Sequence, residues 1–140
     1  MRYWDSSALV ALFVDQEAGP RIKKVYADDP EVVSWTLSEV EFHSAIARLA
    51  RSGSLAASSA EAAASKFDYL WTSVKSISLI DSVKARARRI LRLHSLKAAD
   101  ALQLAGAHVA AYDEPTLVEF VCLDDRLREA AAREGFRLLP

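Results

Sequence analysis

Cysteine is almost absent from this 140-residue chain, in which Cys122 is the single example. An internal disulfide is therefore excluded, and the shortage of cysteine favours a reducing compartment. Cys122 lies in the apolar run "LVEFVCL", which is typical of a buried strand. We expect it to pack in the interior of a cytoplasmic protein and not to act as a nucleophile.

Long hydrophobic runs are also lacking. The first apolar run, "ALVALFV", is far shorter than the roughly 20 residues that a membrane-spanning helix needs. The N-terminus reaches Asp5 before the apolar segment of a signal peptide has formed. We therefore expect a soluble, intracellular protein with no membrane partner.

The chain has no excess of charge of one sign, because its formal net charge is −1. Nucleic-acid binding would then need a local basic patch or a bound metal ion. The most basic segment, "KARARRILRLHS", contains Lys84, Arg86, Arg88, Arg89 and Arg92. Its residues Lys84, Arg88 and Arg92 recur every four positions and would form one helical stripe, which predicts either a phosphate-binding surface or an ordinary solvated face.

Two kinds of apolar segment alternate along the chain. Short runs bounded by turn residues predict strands, and longer segments with apolar residues three or four apart predict helices. The strand candidates are "RYW", "EVVSW", "SISLI", "LVEFVCL" and "FRLL". Because strands alternate with helices, we expect one domain over residues 1–140, an α/β sandwich with a mostly parallel sheet covered on both faces.

Polar residues at the predicted helix starts indicate where helices begin. Asp5 or Ser6 is suited to the N-cap of the first helix. Ser58 or Ser59 is suited to the N-cap of a later helix, where Glu61 would complete a capping box.

The segment "SLKAADALQLAGAHVAA", residues 95–111, predicts a helix that is apolar on nearly every side, yet it contains Asp100. Burying an unpaired, charged carboxylate costs a free energy on the order of several kcal/mol or more. Either Asp100 pairs with Lys97, or it faces a bound cation.

Four acidic residues occupy positions that a parallel sheet brings towards one edge. Asp5 and Asp124 follow strands, and Glu41 and Asp100 lie near the starts of helices. Their mutual repulsion would be relieved by Mg²⁺ or Mn²⁺, which prefer oxygen ligands. Each acid also has an ordinary interpretation: Asp5 and Asp124 suit N-caps, and Glu41 suits a solvated helix face.

Glu39 competes with Glu41 for the second acidic position, because both fit the helical spacing. We prefer Glu41 because Ala45 and Leu49, four and eight residues later, would continue its face into the core.

The segments that carry these acids resemble the signature segments of PIN domains, most closely those of VapC-type toxins from bacterial toxin–antitoxin pairs. They are "YWDSSALVALF", "SEVEFHSAIARL", "LKAADALQLAGAHVA" and "FVCLDDRLREAAAREGFRLL". The resemblance implies a Rossmann-like three-layer α/β/α sandwich and an endoribonuclease that uses Mg²⁺ or Mn²⁺. Its catalytic, metal-binding residues would be Asp5, Glu41, Asp100 and Asp124.

Within that set, we expect Asp5 and Asp100 to be the primary metal ligands. Glu41 and Asp124 would hold water molecules of the metal ion or a second ion. Ser6 or Ser7 would add a hydrogen bond at the rim or cap the first helix. We expect no catalytic histidine, because His43 and His94 fall at mostly exposed helical phases and His108 ends the apolar helix.

The helices on either side of Gly53 predict an αα-hairpin whose second helix carries Phe67, Leu70 and Trp71 on an apolar face. These three residues are either core or part of a binding surface. The resemblance implies that a comparable region grips a small cognate antitoxin protein, and that the chain forms a homodimer.

Three other functions remain open. The chain could be a PIN nuclease of RNA processing that is not a toxin, or a catalytically silent binding module. A response-regulator-like phosphate-binding domain is disfavoured, because the first strand end lacks an acidic pair and the C-terminal part lacks a suitable lysine.

Overall fold

The computed structural model describes residues 1–14 and 17–140. The strands are β1 (Arg2–Trp4), β2 (Val32–Trp35), β3 (Lys75–Ile77), β4 (Glu119–Val121) and β5 (Arg137–Leu139). The helices are α1 (Ser6–Val14), α2 (Gly19–Asp28), α3 (Ser38–Arg51), α4 (Ala57–Trp71), α5 (Ile80–Leu93), α6 (Ala98–Ala110) and α7 (Asp125–Arg133), with a 3₁₀ turn at Pro115–Leu117.

All described strands form one parallel sheet in the order β3-β2-β1-β4-β5. Strand β1 is central, with Tyr3 opposite Val33 on one side and Phe120 on the other. The chain runs from β1 to β2 and β3 on one side and returns to β4 and β5 on the other. The carboxyl ends of the parallel neighbours β1 and β4 therefore lie side by side, at the point where the strand order reverses. The predicted α/β sandwich is confirmed.

Alternation along the central strands fills two cores. Tyr3 and Phe120 face α5, α6 and α7, whereas Trp4 and Val121 face α1 to α4. Successive strand residues point to opposite faces, so the three central strands, β2, β1 and β4, contribute to both cores. No helix in the two described segments is both long and apolar enough to cross a membrane.

Helix α6 is enclosed between α5 and the sheet, which explains its apolar composition. Its alanines and Leu104 are buried in the first core. Gly106 is needed where the helix crosses β1, because a Cβ there would lie 2.5 Å from the hydroxyl oxygen of Tyr3.

The αα-hairpin around Gly53 is formed by α3 and α4. Phe42 and Phe67 stack with their ring centroids 3.7 Å apart, and Phe67 and Leu70 are buried. These two side chains are therefore core. Trp71 is only partly buried against the same core.

Two predicted helix and strand details are wrong. Helix α4 begins at Ala57 after an uncapped Ala56, so Ser58 and Ser59 lie inside the first turn and the capping box with Glu61 does not form. Strand β3 ends at Ile77, since Leu79 and Ile80 of "SISLI" leave the sheet and are exposed.

Candidate active site

An open pocket of about 690 Å³ lies at the carboxyl ends of β1 and β4. Its walls come from α1, from α3, from the start of α6 and from the loop before α7. All four predicted acids line this pocket, namely Asp5, Glu41, Asp100 and Asp124. The topology therefore brings together side chains that are up to 119 positions apart in the chain.

Asp5 is the most deeply placed acid of the pocket and is 3% exposed. Its Oδ2 accepts the backbone N–H of Ser7 at 3.0 Å, the Ser7 hydroxyl, and the Cys122 thiol at 3.5 Å. Burial raises the pKa of Asp5 to about 6, with the charge of Glu41 adding to the rise and the Ser7 bonds opposing it. Asp5 caps α1, and its Oδ1 has no donor from the described part of the chain.

Cys122 is fully buried directly after β4, as predicted. Burial and the neighbouring Asp5 raise the pKa of its thiol far above the ordinary value, so the thiol stays protonated. A protonated thiol donates to the Asp5 carboxylate and is a poor nucleophile.

Glu41 lies half-buried on the pocket wall, and its Oε2 accepts a bond of 2.9 Å from Nε2 of Gln103. Glu39 is exposed and does not line the pocket. The argument that Ala45 and Leu49 carry the face of Glu41 into the core is wrong, because both are only partly buried. The core face of α3 is instead formed by Ser38, Phe42 and Ile46.

Asp100 is the third residue of α6 and lies in the first turn, which lines the pocket. Its Oδ2 lies 3.4 Å from the backbone N–H of Lys97, and within residues 1–14 and 17–140 the two side chains form no ion pair. Burial and the charge of Asp124 raise its pKa, against smaller opposing effects of Lys97 and Arg126. The charge of Asp100 is thus only weakly balanced by the chain itself.

Asp124 is exposed and caps α7, since its Oδ1 accepts the backbone N–H of Leu127 at 2.9 Å. The capping interpretation therefore holds for this residue, which also lines the pocket. Asp125 follows it in the first turn of α7 and lies outside the pocket.

The pocket offers carboxylate oxygens, which are the ligands that Mg²⁺ and Mn²⁺ prefer. The raised pKa values of Asp5 and Asp100 show that anionic charge is disfavoured there without a counterion. However, in the part of the chain that the structure describes, no three His, Cys, Asp or Glu side chains lie close enough together to hold a metal ion. The donor set thus suits a divalent cation, but its members are spread around the pocket.

Ser7 supports the pocket and is one of the two serines named from the sequence, whereas Gln103 and Arg48 were given no role from the sequence. Ser7 accepts the backbone N–H of Leu123 at 2.9 Å, and Gln103 contacts Glu41 from inside α6. Arg48 lines the pocket beside the acids. The one available signal was that Gln103 is an amide within an otherwise apolar helical segment.

The prediction that His94 is mostly exposed is wrong, because its side chain is 9% exposed. Its Nε2 lies 2.7 Å from Oε1 of Glu134, and Nη2 of Arg89 donates to Oε2 of the same carboxylate at 2.5 Å. Burial raises the pKa of Glu134, but the bonds from Arg89 and His94 outweigh it and hold the value at about 2. His108 joins this group from α6, and none of the four residues lines the acidic pocket.

Comparison with known proteins gives a consistent family assignment. The family model for the PIN domain matches residues 2–133. Two proteins of Mycobacterium tuberculosis are each 30% identical to the chain over 138 residues: Ribonuclease VapC45 of strain CDC 1551 / Oshkosh and Ribonuclease VapC49 of strain ATCC 25618 / H37Rv. Each alignment covers 99% of this chain and 94% of the relative.

Proposed function

This chain belongs to the PIN domain family, and on that premise we propose that it is a metal-dependent endoribonuclease that acts as the toxin of a toxin–antitoxin pair. The observation that carries the proposal is the single pocket lined by four acids from four separate segments. Relatives that span nearly the whole chain and are named ribonucleases support the same reaction.

Asp5 and Asp100 would hold Mg²⁺ or Mn²⁺, with Glu41 and Asp124 completing the acidic pocket. When bound, such an ion lowers the pKa of a water molecule and neutralises charge on the phosphate oxygens. Asp5 suits this role because all of its donors from the described residues reach Oδ2, which leaves Oδ1 for a ligand. Glu41 likewise keeps Oε1 without a donor from those residues, and this oxygen would orient the attacking water.

Two arginines beside the acids are suited to hold the phosphates of RNA. Arg48 lines the pocket, and Arg126 lies close enough to Asp100 for its charge to lower the pKa of that acid. Both are exposed, and neither forms an ion pair with a described residue. We propose that Arg48 and Arg126 contact the RNA phosphates on either side of the scissile bond.

The basic helix α5 is a weaker candidate for RNA binding. Arg86 and Arg89 are held by Asp113 and Glu134, so their charges are already neutralised. Lys84, Arg88 and Arg92 are exposed, but none lines the acidic pocket. The stripe therefore stays a prediction of phosphate binding that is separate from the reaction site.

A small cognate antitoxin is the proposed protein partner, and a second groove offers it a surface. This groove measures about 420 Å³ and is lined by Leu12, Phe13, Lys23, Tyr26, Lys66, Tyr69, Leu70 and Ser73. Lys23 and Lys66 at an otherwise apolar and aromatic groove favour a segment that carries both apolar and acidic side chains. We also propose that the chain forms a homodimer, and this proposal rests on the family resemblance alone.

RNA cleavage by the purified protein tests the proposal. Total RNA is incubated with Mg²⁺, Mn²⁺ or EDTA, and new internal 5′ ends are mapped by primer extension. We expect metal-dependent internal cuts that Glu41→Gln slows strongly, to a low rate that can still be measured, and that Glu39→Gln leaves unchanged. Cutting that persists in EDTA, or that is equal in the two variants, would contradict the assigned site.

A further inference from the structure

A buried side chain contacts the candidate site from the interior of the protein. Gln103 on α6 is 1% exposed and lies beneath the pocket wall. Its Oε1 lies 3.0 Å from the hydroxyl of Tyr3. Its Nε2 lies 2.8 Å from Oγ of Ser38 and 2.9 Å from Oε2 of Glu41. One amide thus connects β1 with two residues of α3.

The chemistry of Glu41 fixes the orientation of this amide. An ionised carboxylate accepts hydrogen bonds and donates none, so the NH₂ group of Gln103 must face Glu41. The carbonyl oxygen of the amide then faces Tyr3, whose hydroxyl donates to it. A flipped amide would set two acceptors against each other at Glu41.

The bond between Gln103 and Ser38 continues as a directed chain through the interior. Oγ of Ser34 lies 2.7 Å from the backbone carbonyl of Trp4 and 2.8 Å from Oγ of Ser38. A carbonyl only accepts, so Ser34 donates its one proton to Trp4 and accepts from Ser38. Ser38 in turn accepts from Gln103. Both serines are fully buried, so water does not replace these partners.

Gln103 therefore uses both of its N–H donors, one on the fixed interior chain and one on Glu41. The interior chain ends at the carbonyl of Trp4, the residue immediately before Asp5. The same helix carries Asp100 one turn earlier, at position i−3. A single buried amide thus ties the carboxylate of Glu41 to the elements that carry two of the other three acids, Asp5 and Asp100.

We propose that Gln103 is a positioning residue that holds the Glu41 carboxylate in the reactive orientation at the pocket wall. This inference rests on the proposed nuclease function and assigns Gln103 no contact with the RNA or the metal ion. Glu41 is half-exposed on α3 and has no other side-chain donor among the described residues. Without Gln103, its carboxylate would rotate towards solvent, as a long exposed side chain with free rotamers does.

The first test separates positioning from stability. Gln103→Met keeps the length of the side chain and removes both donors. Leu104→Ala, on the adjacent buried residue, is the control that destabilises α6 without touching the network. We expect Gln103→Met to lower kcat by at least about tenfold with little change in KM, because a misplaced group loses orientation and not substrate binding. The control should lower Tm and leave kcat at the wild-type value at a temperature where both are folded.

A double variant tests whether the effect passes through Glu41. If Gln103 acts by holding this carboxylate, then adding Gln103→Met to Glu41→Gln lowers kcat no further. Independent losses that multiply in the double variant would overturn the inference, as would a wild-type kcat in Gln103→Met.

Nuclear magnetic resonance provides a readout that needs neither cleavage nor metal. The side-chain NH₂ signals of Gln103 are followed in the metal-free protein and in two variants. Glu41→Gln should shift the Nε2 proton signals, and Glu39→Gln should leave them in place. Unshifted signals in Glu41→Gln would overturn the inference. If the wild type cleaved no RNA, the nuclease proposal would fail, and these signals would still decide whether Gln103 holds Glu41.

Discussion

The hydroxyl of Ser7 on α1 accepts the backbone N–H of Leu123 at a distance of 2.9 Å. The same hydroxyl donates to the carboxylate of Asp5. This contact joins the residues that follow β1 to those that follow β4, so Asp5 and Asp124 are held at one edge of the sheet. Ser7 thus adds a side-chain bridge to the backbone bond from Asp5 to Val121 and the β1–β4 pairing, which also hold these two segments together.

Ser7→Ala should destabilise the protein and weaken the site together. The substitution leaves the Leu123 N–H without its partner and removes a donor from a buried carboxylate. Each such loss costs about 1–3 kcal/mol. We expect the free energy of unfolding in urea to fall by roughly that amount. Ser6→Ala is the control, because the Ser6 side chain makes no hydrogen bond with the described residues. Equal stability of the two variants would contradict the bridging role.

Asp5→Asn should stabilise the metal-free protein at neutral pH. Folding raises the pKa of Asp5 from 3.8 to about 6, mainly by burial, so ionisation above pH 6 opposes folding. The wild-type penalty is then about 2–3 kcal/mol at pH 7, fades as the pH falls through 6, and is absent below the unfolded pKa. An asparagine at this position keeps an oxygen for the N–H of Ser7 without the charge.

Urea unfolding in EDTA at pH 5, 6 and 7 measures this effect. Burial lowers the pKa of His108, so protonation of this residue also destabilises the protein in acid. The informative quantity is therefore the difference in free energy of unfolding between wild type and Asp5→Asn at each pH. That difference should favour the variant at pH 7 and shrink towards pH 5. Asp125→Asn, outside the pocket, should show no such trend. A variant less stable than wild type at pH 7 would show that the charge of Asp5 is already compensated.

Arg48→Met and Arg126→Met should weaken RNA binding and make it less dependent on salt. Each variant removes one phosphate contact, so the slope of log K against log salt should become shallower by about 0.7 for single-stranded RNA. Filter binding with the inactive Asp100→Asn background measures this without cleavage. Arg51→Met is the matched control, an exposed arginine of α3 outside the pocket.

Reversing the charges of Arg88 and Arg92 in the same assay decides the role of the α5 stripe. If the stripe binds RNA, affinity falls and the salt slope changes. If affinity is unchanged, the stripe is a solvated helix face. If RNA affinity falls only in the Arg88 and Arg92 variant, and not in Arg48→Met or Arg126→Met, the RNA binds along α5 and not at the acidic pocket.

The alternation of strands with helices and the four acids could be predicted from the sequence, because both show in local patterns. Strands and helices alternate clearly, and in a parallel sheet the carboxyl ends meet at one edge, so Asp5 and Asp124 could be placed before the structure was known. The same reasoning explains why Asp100 is tolerated in an apolar helix. It lies at the open first turn and not in the enclosed part.

Other features depend on long-range packing and could not be predicted. His94 is covered because α7 brings Glu134 against it, 40 positions later in the chain. Gln103 binds Glu41 across 62 positions, a contact that no local pattern encodes. The predicted N-cap of α4 is wrong for a different reason. Ser58 and Ser59 are good capping residues, but the N-cap position of the helix is Ala56, two residues before Ser58.

Calorimetric titration of the metal-free protein with Mn²⁺ tests most directly whether the acidic pocket holds a divalent cation. Wild type is compared with Asp5→Asn and Asp100→Asn, and with Asp125→Asn as the control that retains the same net charge as the other variants. The account predicts saturable binding to wild type and Asp125→Asn. Both pocket variants should lose at least about 90% of the affinity, because removing a ligand should cost no less than the roughly 10–100-fold lost when a residue that only hydrogen-bonds to a ligand is changed. Equal affinity in all four proteins, or no binding to wild type, would contradict it.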